Sequence, residues 1–175
     1  MAVLITSSRF IFTADCEKVI FDRIKNINNA VEKIKKRKET KFICSSSIYE
    51  TEPWGNIEQE DYLNSVIGIQ TELNAEDLLK ELKCIEKLIG RKENKKWSER
   101  EIDIDLLFYG NEIIDKDHMK VPHGQIENRR FVLVPMNEIA PGFMHPVFKK
   151  SISQLLKDTT DKLKVFKYKL SCTEK

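Results

Sequence analysis

The sequence predicts an α+β fold, an antiparallel sheet with helices packed on its faces. Two observations carry this. Two long stretches repeat apolar residues every three or four positions, and shorter runs between them alternate apolar with polar residues. Their order along the chain is strand, helix, strand, strand, helix, strand. At 175 residues the chain fits one domain, residues 1–175, with enough length to bury a core.

Each element follows from local chemistry. Residues 2–5 are a short apolar strand. Over residues 20–36, Ile20, Ile24, Ile27, Val31 and Ile34 form the stripe of an amphipathic helix. Its end is rich in Lys35, Lys36, Arg37 and Lys38, which suits the negative pole of the helix dipole. Strands follow at residues 42–50 and 62–71, separated by a loop holding Pro53 and Gly55. The second helix has clear ends: Asn74 is its N-cap, Glu76 and Asp77 fill its first turn, and Gly90 terminates it. Between them Leu78, Leu79, Leu82, Ile85, Leu88 and Ile89 make the core stripe. Residues 102–108 alternate as a strand, and Gly110-Asn111 turns the chain toward residues 112–114. Ser151 caps a short helix through Leu155-Leu156, and residues 165–168 close the fold as a strand. The order βαββαβ is that of a ferredoxin-like sandwich.

Composition excludes several classes of function. With 41% hydrophobic and 33% charged residues the chain is globular, and a net charge of +2 sets up no field for nucleic acid. Cys16, Cys44, Cys84 and Cys172 are scattered without a CxxC pair, so free thiols in a reducing compartment are expected. The start lacks a basic segment followed by an apolar core, and no run approaches the roughly 20 apolar residues of a spanning helix. A cytoplasmic protein with no membrane and no nucleic-acid partner is expected.

The chemistry concentrates in residues 97–110. Asp103 and Asp105 alternate with Ile102, Ile104 and Leu106, so in a strand both carboxylates project from one face while the apolar residues fill the other. Two such carboxylates repel by roughly 4 kcal/mol at ~4 Å and an effective dielectric of ~20. Arg100 offsets part of this; a divalent cation does so better, and Mg²⁺ is commonly held by one or two carboxylates with water and phosphate completing its shell. The alternative is the solvated face of an edge strand. Trp97 and Arg100, behind the basic run Arg91, Lys92, Lys95 and Lys96, supply what a purine and a triphosphate need, which favours a magnesium–nucleotide site.

These residues, with others, resemble the 6-hydroxymethyl-7,8-dihydropterin pyrophosphokinase family of folate biosynthesis. The family signature reads Arg-Trp-Gly-Pro-Arg-x-Ile/Leu-Asp-Ile/Leu-Asp, and here Trp97-Ser98-Glu99-Arg100-Glu101-Ile102-Asp103-Ile104-Asp105 stands in its place. Tyr49-Glu50-Thr51-Glu52-Pro53-Trp54-Gly55 is similar to the pterin loop, and Asp61-Tyr62-Leu63-Asn64-Ser65-Val66 to the strand bearing a pterin-reading Asn. Val121-Pro122-His123, the run from Asn128 through Phe131 to Pro135, and Glu138-Ile139-Ala140-Pro141 follow in order, so the resemblance spans about residues 43–146.

The resemblance implies transfer of an intact diphosphate from ATP to the pterin hydroxymethyl group, with two Mg²⁺ ions held by Asp103 and Asp105. It implies Thr51, Pro53, Tyr62, Asn64 and Phe131 as the pterin site, and Glu86, Trp97, Arg100, Lys120, His123 and Arg129 as ATP contacts. Arg91 and Arg100 take the catalytic roles, Arg91 from a loop that closes over the triphosphate. For His123 the alternative is a loop histidine without a function, and for Glu86 a solvated helix surface. The partners are then ATP and 6-hydroxymethyl-7,8-dihydropterin, and a monomer is expected. The chain departs from the pattern where Thr6-Ser7-Ser8 replaces Gly-Ser-Asn, where Ser98-Glu99 replaces Gly-Pro, and where Glu93 stands near a usual Arg. A silent relative that binds pterin or nucleotide is the alternative these changes raise. A ferredoxin-like RNA-binding module ranks last, because the strands expected at the sheet centre carry Asn64, Asp103 and Asp105 where such a module displays aromatics.

Overall fold

Strand β1 (Ala2–Ser7) runs through the middle of a six-stranded sheet whose pairings are all antiparallel. The computed structural model describes residues 2–7, 16–52, 61–89 and 102–169, with the backbone alone at 2–7 and 16–22. Helix α1 (Cys16–Lys35) leads to β2 (Thr40–Ser45), β3 (Tyr49–Thr51) and β4 (Tyr62–Thr71), and α2 (Ala75–Ile89) leads to β5 (Asp103–Phe108). The hairpin β6 (Ile114–Lys116) and β7 (Met119–Val121), a 3₁₀ turn at Ile126–Asn128, α3 (Arg130–Ile139), α4 (Ile152–Asp158) and β8 (Val165–Lys167) complete the chain. Strand order is β5-β1-β4-β3-β8, with β2 beside β3 on the same side of β4. Leaving out the terminal additions, this is the expected ferredoxin-like sheet.

The two faces carry separate cores. Along β4, Leu63, Ile67 and Ile69 point to one side and join Ile27, Ala30 and Ile34 of α1 with Leu78, Leu82 and Ile85 of α2. Val66 points to the other side, where Leu107, Val132, Leu133, Met136, Ile152 and Leu155 pack under α3 and α4. Alternation on a pleated strand divides the two sets. The predicted cap of α2 is present, the Asn74 side-chain oxygen accepting the Asp77 N–H at 2.9 Å. Ser151 and Gln154 form a reciprocal capping box on α4.

Three expectations need correction. The run at 42–50 is two strands, because Ser46 leaves the regular ladder and its hydroxyl accepts the Val66 N–H at 3.0 Å. Helix α3 was not foreseen. Its run Phe131-Val132-Leu133-Val134-Pro135 carries β-branched residues and an internal proline, both unfavourable within a helix. Burial of Val132, Leu133 and Met136 at helical spacing overrides that preference. Finally, β5 is not central: among the described residues it ends the sheet. Among those residues no helix is long and apolar enough to cross a membrane, and Cys44 and Cys84 are free thiols.

Candidate active site

The edge position of β5 shapes the site. Ile104 pairs with Ile5 of β1, and its own N–H and C=O turn outward from the sheet. Unsatisfied edge groups of this kind are costly when covered. Helix α2 satisfies both. Glu86 Oε1 accepts the Ile104 N–H at 2.6 Å, and Lys83 Nζ donates to the Ile104 C=O at 2.9 Å and to Glu86 Oε1 at 2.7 Å. Glu86, expected at the nucleotide, is 0% exposed, and its carboxylate fastens the edge strand to α2.

Asp103 and Asp105 stand on the face opposite Ile102, Ile104 and Leu106, as alternation predicts, and those three apolar residues are buried. Both carboxylates are 30% exposed and both turn an oxygen toward one point, where Lys83 Nζ lies 3.6 Å from Asp103 Oδ1 and 3.4 Å from Asp105 Oδ1. Burial works against the Lys83 ammonium, but Asp105, Glu86 and Asp103 together outweigh it and hold its pKa above the ordinary lysine value. Sequence reasoning missed Lys83. The only local signal was its spacing to Glu86, which on an isolated helix reads as a surface pair.

The convergence on one cationic position tests the site for a divalent ion. Two hard carboxylate oxygens, partly open to solvent and already facing a positive charge, are a donor set that Mg²⁺ accepts when water and phosphate complete its shell. Among the described residues no group of three or more His, Cys, Asp or Glu side chains that could hold an ion converges.

Beside Asp105 opens a cleft of about 500 Å³ lined by Lys83, Lys120, His123, Gln125 and Arg129. His123 follows the cis Val121–Pro122 peptide, and its N–H donates to the Leu107 C=O at 2.9 Å, which sets the loop against β5. Three of the residues expected to meet ATP, Lys120, His123 and Arg129, are therefore gathered with Asp105 around one space. Arg129 also reaches the second set, its guanidinium 5.9 Å from the centroid of the Phe131 ring.

The residues expected to read the pterin gather on the same sheet face. Asn64 is 1% exposed and Thr51 is 3% exposed; the Asn64 amide nitrogen donates to the Thr51 hydroxyl at 2.8 Å. Tyr62 is the register partner of Thr51, and burial pushes its hydroxyl pKa up. Phe131 packs at the margin of the second core. Register links this group to the carboxylates. Thr6 pairs with Asn64 on one side and with Asp103 on the other, and directly opposed residues share a face. Two strand spacings separate Asn64 from Asp103, roughly 10 Å. Pro53, Arg91, Trp97 and Arg100 lie outside the described residues.

Comparison with known proteins shows the family of the chain. A family model described as 7,8-dihydro-6-hydroxymethylpterin-pyrophosphokinase matches residues 19–141. The 2-amino-4-hydroxy-6-hydroxymethyldihydropteridine pyrophosphokinase of Aquifex aeolicus is 40% identical over 139 residues, which cover 79% of this chain and 86% of the relative. The protein of the same name from Haemophilus influenzae is 38% identical over 138 residues, 79% of this chain and 86% of that one. Among solved structures, an HPPK-DHPS in complex with substrates superposes with a TM-score of 0.60 at 16% identity, covering 89% of this chain. The Plasmodium falciparum HPPK-DHPS with pteroate gives a TM-score of 0.60 at 16% identity over 89% of this chain. This chain spans 42% of the first of those longer chains and 41% of the second, and the likeness to them is one of fold.

Proposed function

This chain belongs to the 7,8-dihydro-6-hydroxymethylpterin-pyrophosphokinase family, and from that premise we propose how its residues divide the work of the reaction. The enzyme acts in folate synthesis, moving the terminal diphosphate of ATP to the hydroxymethyl oxygen of 6-hydroxymethyl-7,8-dihydropterin. A bond forms between that oxygen and the β-phosphorus as the hydroxyl proton is released to solvent, and the bond from the β-phosphorus to the oxygen bridging it to the α-phosphorus breaks, so AMP leaves with the bridging oxygen.

The row Asn64–Thr6–Asp103 is the observation that carries the residue assignments. It sets an amide suited to a pterin edge about two strand spacings from a carboxylate suited to a metal, on one face. Asn64, oriented by Thr51, reads the pterin by hydrogen bonds, Phe131 stacks on its ring, and Tyr62 shapes the pocket. Lys120, His123 and Arg129 receive the nucleotide in the adjoining cleft. Asp103 and Asp105 hold the divalent metal, two Mg²⁺ ions in this reading. When bound, the metal neutralises and orients the phosphates and lowers the pKa of the attacking hydroxyl. The chain's own contribution is position: it lines up two substrates across one sheet face and surrounds the phosphates with fixed positive charge. Family resemblance assigns Arg91 and Arg100 to that charge, Trp97 to the nucleotide and Pro53 to the pterin. Glu86 belongs to the scaffold.

Release of AMP from Mg·ATP by the purified protein tests the reading. AMP is expected only when 6-hydroxymethyl-7,8-dihydropterin is present. A folded protein that binds both substrates yet releases none would support the silent alternative. Asn64→Leu keeps size and removes the hydrogen bonds, so the pterin KM should rise about 100-fold, as expected for two lost bonds of roughly 1.5 kcal/mol each. The ATP KM should hold within about twofold; a change in it of the same size would remove Asn64 from the pterin site.

A further inference from the structure

We propose that Lys83 is a resident cation of the metal site: a positioning residue that holds Asp103 and Asp105 converged before metal arrives and disfavours a divalent ion that comes without nucleotide. The inference rests on reading the two aspartates as metal ligands.

The geometry of the ammonium carries it. Its two short bonds go to fixed partners, the Ile104 C=O at 2.9 Å and Glu86 Oε1 at 2.7 Å. One is backbone of the carboxylate strand itself and the other is fully buried, so the charge is tethered to the scaffold and does not roam as surface lysines do. From that tether it faces Asp105 at 3.4 Å and Asp103 at 3.6 Å. These are longer than good hydrogen bonds, and their attraction is Coulombic more than directional. Among the described residues it is the cation that faces both carboxylates.

A Mg²⁺ taken up by the same oxygens would stand close to the ammonium that already faces them. Lys83 and the ion would then bring three positive charges to the carboxylates of Asp103, Asp105 and Glu86, the last already bonded to the ammonium. The fixed ammonium repels a bare divalent ion and attracts one that carries the negative charge of a triphosphate, so it weakens the first relative to the second. Lys83 thus selects the complex over the free ion, and it also spares the empty site the mutual repulsion of its carboxylates.

Binding of Mn²⁺ to the nucleotide-free protein, followed by electron paramagnetic resonance, reads this without turnover. Lys83→Gln and Lys83→Met should each bind Mn²⁺ about tenfold more tightly than the parent, the effect of removing one unit charge at short range through a solvated site. Lys83→Arg keeps the charge and should stay within about twofold of the parent. A role limited to fastening β5 would lower the melting temperature of the neutral variants and leave Mn²⁺ affinity unchanged, which overturns the proposal. If Asp103→Asn leaves binding of Mn·ATP untouched, the ligand assignment falls and this inference with it. The parent protein provides a reading free of any folding defect in the variants: its Lys83 ammonium nitrogen resonance should shift as Mg²⁺ is added to saturation, and an unmoved signal would reject the proposal.

Discussion

Asp103→Asn should reduce pterin-dependent AMP release by about three orders of magnitude and leave the melting temperature within a few degrees of the parent. The substitution preserves the shape of a side chain that is only 30% exposed and removes one of two carboxylate charges at the point where Lys83 and the proposed metal meet. Loss of a single preorganised electrostatic partner at a reacting centre costs about a hundred- to a thousandfold, and the metal's own contribution fails with it. Stability is another matter. Lys83 keeps Glu86, Asp105 and the Ile104 carbonyl, so the fold retains its edge clip. Initial rates at several Mg²⁺ concentrations make the measurement. A fall of less than tenfold at every concentration would exclude Asp103 as a metal ligand.

Glu86→Ala should act in the opposite sense, lowering the unfolding free energy by about 3 kcal/mol and changing the ATP KM little. The fully buried carboxylate accepts from both Ile104 N–H and Lys83, and alanine leaves an edge-strand donor without a partner and an ammonium short of its nearest anion. Urea denaturation gives the number. Glu86→Gln keeps an acceptor for Ile104 and should recover part of the loss. An alanine variant within about 0.5 kcal/mol of the parent, with a raised ATP KM, would return Glu86 to the nucleotide site that the family resemblance implies.

These two carboxylates show what could be read in advance. Asp103 was legible because a strand has a period of two: its neighbours Ile102 and Ile104 demand burial, so the face of each carboxylate follows from the pattern alone. Glu86 was not. Its three-residue step from Lys83 is the spacing of an ordinary exposed helix pair, and nothing local says that an edge strand lies against it. The same contrast separates α2, whose cap, stripe and first-turn acids agree with one another, from α3, whose proline and β-branched residues argue against the helix that burial enforces.

The sequence by itself determined the alternation of β4 and β5, the two amphipathic helices that cover one face, and thereby the face on which Asn64, Asp103 and Asp105 stand. Short-range periodicity decides these, since each depends on how a residue projects from its own backbone. Tertiary structure alone decided that β5 is an edge, that Lys83 and Glu86 close that edge, and that Lys120, His123 and Arg129 border one cleft with Asp105. Those outcomes depend on which strand lies beside which, and the free energy of unpaired backbone groups and converging charges becomes defined only once the elements have packed.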